Sequence, residues 1–114
     1  MTSYEISTDR NRIDTEFVAR FLRDQSYWAA GIPERVVRRS IENSLCCGAY
    51  RAGEQVGFAR VITDYATFAY IADVFVVEAH RGAGVGQQIM AAILAHADLE
   101  RVDRDVYNRE ATHG

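Results

Sequence analysis

The sequence predicts an α+β fold in which helices flank a mostly antiparallel sheet. Two observations carry this. Three apolar runs, Leu45–Arg51, Val56–Thr63 and Thr67–Val77, are separated by short turns, the pattern of an antiparallel meander. Apolar stripes of helical period lie before and after them. With 114 residues and no linker, repeat or low-complexity tract, the expected organisation is one domain over residues 1–114 with one modest core.

The elements follow in order. Tyr4–Ser7 is a short first strand. Phe17, Val18, Phe21 and Leu22 fall on one helical stripe, with Asp14 or Thr15 as the cap. The stretch 26–32, containing Tyr27, Trp28 and Gly31, reads as a loop. Pro33 opens the second helix, where its missing N–H costs nothing. Val36, Val37 and Ile41, extended by Leu45, form that helix's buried stripe, and Arg35, Arg38 and Arg39 its wet side. Residues 52–55 and 64–66 turn the chain between strands, Gly53 being the expected positive-φ residue. The run Thr67–Val77 is apolar at both parities, so both its faces should be covered, and Tyr70 reads as a core aromatic. Ile89, Met90, Ile93, Leu94 and Ala97 mark a third helix beginning directly after Gly86. Residues 98–114 read as a polar tail with Val102, Val106 and Tyr107 as its apolar members.

Composition excludes several classes. Thirteen basic and sixteen acidic residues leave a net charge of −3, and with no Lys/Arg block the chain lacks the footprint of a nucleic-acid binder. No apolar run reaches the roughly 18 residues of a membrane helix, and the first residues do not read as an export signal. The cysteines, Cys46 and Cys47, are adjacent. In a strand they point to opposite faces, so they read as small core residues rather than a bridge. A reducing cytoplasm fits this usage. His80, His96 and His113 have no ligand spacing with either cysteine, and no metal site is expected.

One segment carries chemistry. A strand, the glycine-rich turn Arg81-Gly82-Ala83-Gly84-Val85-Gly86 and then a helix make an anion site. The first helical N–H groups have no internal partner and lie at the positive end of the dipole. Arg81 adds a positive charge at the mouth. The Walker pattern fails because Gln87-Gln88 follows Gly86, and the dinucleotide fingerprint fails for want of its third glycine. The pattern Arg/Gln-x-x-Gly-x-Gly/Ala matches completely.

With that loop, the chain resembles the GCN5-related N-acetyltransferases, the GNAT superfamily. Tyr70–Val77 resembles the family's fourth strand, and the stripes 17–22 and 36–41 its first two helices. The stretches Ser26-Tyr-Trp-Ala, Gln55-Val-Gly-Phe-Ala-Arg-Val and Ala72-Asp-Val-Phe-Val resemble small single-domain members. The resemblance covers roughly residues 4–99 and implies a three-layer α/β arrangement of the α+β class. It implies acetyl-CoA as co-substrate and direct attack on the thioester by a small-molecule or peptide amine. It places backbone groups of Phe75, Val76 and Val77 along the pantetheine arm. The N–H groups of Arg81, Gly82, Ala83, Gly84, Val85 and Gly86 fall on the pyrophosphate, with the Gln87 side chain beside them. Tyr27 and Trp28 border the acceptor site in this reading, while ordinary aromatic packing explains them equally. Asp73 is either a general base or amine anchor among apolar neighbours, or a structural acid bonded to backbone. Complete members continue with a strand, a helix and a strand, roughly 35 residues, so that part is expected to be missing or atypical here. Tyr107 does not fit the family's acid. A homodimer is one way to complete the fold, and the edge near Phe75–Val77 is the expected place for self-association. A catalytically inactive acyl-CoA-binding or structural module of the same fold is the alternative.

Overall fold

The computed structural model describes residues 3–99. Strands β1 (Glu5–Ser7), β2 (Leu45–Arg51), β3 (Glu54–Thr63) and β4 (Ala69–Val76) form one sheet in that order, each pair antiparallel. Helices α1 (Thr15–Gln25) and α2 (Glu34–Glu42) precede β2, and α3 (Val85–Leu94) follows β4. The Asp14 carboxylate caps α1 by accepting the Phe17 N–H at 3.1 Å, satisfying one of the orphan donors of the first turn. Pro33 stands immediately before α2, where its fixed φ suits the helix start.

The two faces of the sheet have separate cores. Val18, Phe21 and Leu22 of α1 and Val37 and Ile41 of α2 pack with Cys46, Phe58 and Phe75. On the other side Val85, Ile89 and Ile93 of α3 pack with Cys47, Ala49, Val56, Ala59 and Val61. This makes three layers, and it explains why the runs of β2 and β4 are apolar at both parities. Each fully buried large side chain contributes about 1.5–3 kcal/mol.

Three expectations change. Leu45 does not extend the stripe of α2: it is the first residue of β2 and packs in the core on the α3 side. Val36 is exposed, because the buried stripe of α2 is only Val37 and Ile41, four residues apart, and Val36 lies a third of a turn away. Leu99 belongs to the core rather than to a polar tail: the chain turns through a short 3-10 segment, Ala97–Leu99, and buries it against the α3 side. Tyr107 and residues 100–114 lie outside the described residues.

A bulge interrupts β4. Phe58 pairs with Phe75 and Arg60 with Ala72, so Asp73 and Val74 together oppose Ala59. Asp73 takes φ +56°, a left-handed conformation that aspartate tolerates better than most residues.

Cys46 and Cys47 are buried in the two opposite cores, as their adjacency in a strand requires. Burial pushes their thiols up, to about 11 for Cys46 and about 12 for Cys47. Thiolates are therefore scarce in the folded chain near neutrality. Folded values above the unfolded ones mean that their contribution to stability is complete below about pH 8.5 and is lost as pH rises through the folded values. Iodoacetamide at pH 8 is expected to leave the native chain unmodified, and the urea midpoint is expected to fall between about pH 9 and 11. Rapid alkylation without unfolding contradicts this account.

Candidate functional site

The site begins at the end of β4. Val77 donates its N–H to the Val56 carbonyl at 2.9 Å. Antiparallel pairs alternate, so Phe75 opposite Phe58 also turns its polar groups toward β3, and Val76 opposite Gly57 turns its own away. Among the described residues β4 has no neighbour on that side. The expected trio Phe75, Val76 and Val77 therefore divides. Only Val76 offers backbone groups to the open edge, and its carbonyl accepts from Arg81 Nε at 2.8 Å. The Phe75 ring lies in the core, stacked on Phe21 with centroids 3.8 Å apart.

Beyond β4 a 3-10 turn, Glu78–His80, leads into the glycine segment. Gly82 and Gly84 have φ of +84° and +81°, and Gly84 is the residue from which α3 starts. Such conformations aim successive N–H groups into one concavity. The Arg81 N–H is used, bonding to the Glu78 carbonyl at 3.2 Å. Those of Gly82, Ala83, Gly84, Val85, Gly86 and Gln87 have no partner among the described residues. A cavity of about 310 Å³ lies over them, lined by Val76, His80, Arg81, Gly82, Gly84, Val85, Gly86 and Gln87. Ala83 does not line it. A Cβ added at Gly82 would meet nothing within 4 Å, and one at Gly84 only Gln87 Oε1 at 3.9 Å. The described residues do not fill the space that these glycines leave.

The second cluster surrounds the bulge. Asp73 Oδ1 accepts from Trp28 Nε1 at 2.9 Å, and Oδ2 from Arg60 Nε at 3.0 Å and Nη2 at 2.9 Å. Arg60 Nη1 also donates to Ser44 Oγ at 3.3 Å. The surroundings expected for Asp73 need correction: its carboxylate is bound by side chains, one of them a guanidinium, rather than by apolar neighbours or backbone. Sequence reasoning passed over Arg60. A lone arginine inside the apolar run Val56–Thr63 was the available signal, since a charge in a covered strand needs a partner. Trp28 is half-buried, and Tyr27 is 77% exposed with its ring edge-on to Trp28 at 5.2 Å. Tyr70 is partly buried in β4. Among the described residues no group of three or more His, Cys, Asp or Glu could hold a metal ion. No described helix is long and apolar enough to cross a membrane.

Sheet, bulged edge strand, open amide turn and helix start define an α+β domain with an anion site made of backbone N–H groups. The chain belongs to the acetyltransferase (GNAT) family, whose sequence pattern matches residues 12–113. A Xanthomonas campestris pv. campestris protein assigned to the GNAT family is 44% identical. It superposes with a TM-score of 0.87 over 95% of this chain and 75% of that one. A Gibberella zeae protein named as an acetyltransferase is 29% identical over 76% of this chain, which spans 60% of that relative's length. The Paenibacillus lautus diaminobutyrate acetyltransferase, solved with its substrate and coenzyme A, shares the fold at 18% identity. Its TM-score is 0.67 over 89% of this chain and 62% of that one.

Proposed function

We propose that the protein is an acyl-CoA-dependent N-acetyltransferase. The observation that supports this most directly is the run of N–H groups from Gly82 to Gln87, unpartnered among the described residues, opening on a cavity beside Val76. Backbone donors at a helix start suit a pyrophosphate. A strand edge where Val76 turns its N–H outward, and its C=O beside the Arg81 Nε that it accepts from, suits the amide-bearing pantetheine arm. Bound there, acetyl-CoA supplies an acyl group activated for direct attack by an amine. No protein nucleophile is then needed, which agrees with the protonated, buried cysteines. The chain's own contribution is positioning and handling of the amine.

Asp73 is the residue proposed to act on the amine. It sits three residues before Val76, roughly 10 Å along the strand. Trp28 and Arg60 fill three of about four acceptor positions on its carboxylate. We assign it to anchoring an ammonium group, with Tyr27 and Trp28 bordering the acceptor. Asp73→Asn is expected to raise the amine KM about tenfold while kcat stays within about threefold. A kcat loss of about 10²–10⁴ with KM unchanged would make Asp73 the general base instead.

The function is tested by calorimetric titration with CoA, followed by acetyl transfer from acetyl-CoA to a panel of small amines and amino-terminal peptides. Binding with turnover supports the proposal. Binding without turnover on any amine identifies an inactive acyl-CoA-binding module, and absence of binding overturns the reading of the loop.

A further inference from the structure

One titratable group on the cavity wall has no part in the reading above. His80 lines the cavity beside Val76 and Arg81. Its Nδ1 lies 3.0 Å from the hydroxyl of Tyr4, and the two rings meet edge-on with centroids 5.6 Å apart. Tyr4 precedes β1, 76 residues earlier, so this is a long-range contact between the chain start and the turn before the glycines. The other face of that contact is also furnished: the Arg51 guanidinium stands 5.5 Å from the Tyr4 ring centroid.

We propose that His80, oriented by Tyr4, is a phosphate-contacting residue of this cavity, donating from Nε2 to the anion held by the Gly82–Gln87 amides. The inference rests on the function proposed above. With Nδ1 occupied by Tyr4, the only ring nitrogen left for a ligand is Nε2. A phenol hydroxyl serves either state of the imidazole: it donates to a bare Nδ1 or accepts from a protonated one. When the hydroxyl donates to Nδ1, or when both ring nitrogens are protonated, Nε2 carries a proton and the ring presents a donor. A neutral ring protonated on Nδ1 would leave Nε2 an acceptor, and an anion at Nε2 selects against that tautomer. Fixing one ring nitrogen to determine what the other offers is the usual way a histidine is set for a ligand. Arg81 cannot substitute for it fully, because its Nε is committed to the Val76 carbonyl.

The test uses the full chain and CoA as the probe. His80→Ala is expected to weaken CoA binding about tenfold, the scale of one hydrogen bond to a charged group. His80→Gln, whose amide nitrogen reaches the place of Nε2, is expected to stay within about threefold of the original chain. Tyr4→Phe, which frees the ring to turn, should fall between them. With ¹⁵N-labelled histidine, the Nε2 resonance of His80 should shift on adding CoA, a change that a merely structural role would not produce. A chain that binds CoA equally well with and without the imidazole, or whose His80 Nε2 signal does not move, overturns this inference alone. A parent chain that binds no CoA overturns the proposed function and this inference together.

Discussion

Gly84→Val is expected to weaken CoA binding roughly a hundredfold, whereas Arg81→Ala should cost about fivefold. Two separate effects act at Gly84. Its φ of +81° is a conformation that a β-branched residue adopts only at a cost of about 1–3 kcal/mol, which appears as lost stability. The new side chain also enters space that the described residues leave open, where Gln87 Oε1 alone lies within 4 Å of the Cβ position, at 3.9 Å. An anion kept out of contact with two of the N–H donors loses about 3 kcal/mol, which is the hundredfold. Arg81 is different. Its side chain is exposed and its Nε already serves the Val76 carbonyl, so its removal subtracts mainly a screened charge worth about 1 kcal/mol. Gly84→Ala separates the effects, since it adds strain with little bulk and should give an intermediate affinity. Calorimetry on the three variants decides. Unchanged affinity for Gly84→Val would show that the anion does not sit on this turn.

The contrast between these residues shows what was legible in the sequence. The Arg81–Gly86 segment could be read because glycine spacing and a prompt helix start are local signals, and local geometry follows from them. The strands could be read for the same reason, and Leu45–Arg51 matches β2 end to end. Properties set by pairing were not legible. That Val76 faces the open edge while Phe75 and Val77 face β3 depends on register, and one inserted residue upstream would reverse it. The inserted residue is the bulge at Asp73, and nothing in Ala72-Asp-Val-Phe-Val announces that the aspartate adopts positive φ. Val36 was misplaced because three apolar residues in a nine-residue helix allow two stripes, and only the packing of α1 chooses between them. The Tyr4–His80 contact joins positions 76 apart, beyond the reach of any periodicity.

Arg60→Met is expected to lower stability by about 3 kcal/mol, the cost of leaving one member of a largely buried pair without its counter-charge. The exposures justify that scale: the two side chains of the Arg60–Asp73 pair are 17% and 12% exposed, well inside the range where water no longer screens strongly. Asp73 would keep the Trp28 indole N–H on Oδ1 and lose both donors to Oδ2. Ser44 Oγ would lose its donor as well. For a domain of this size the thermal midpoint should drop by roughly 10–20 °C. Asparagine is the informative partner change at position 73, because it tolerates left-handed backbone and can still accept from Trp28 while carrying no charge. In the double variant Arg60→Met, Asp73→Asn, about half the lost stability should return, since the uncompensated charge is gone although the hydrogen bonds are not restored. Thermal unfolding of the parent, the two single variants and the double variant closes a mutant cycle. If the effects of the two changes simply add, the pair is not coupled. The bulge would then be held by β3 pairing and core packing rather than by its carboxylate. Coupling of about 1.5 kcal/mol or more would instead mean that one ion pair links β3, the bulge of β4 and the Trp28 loop. The residues assigned to the amine would then be positioned by the same contacts that hold this part of the sheet together.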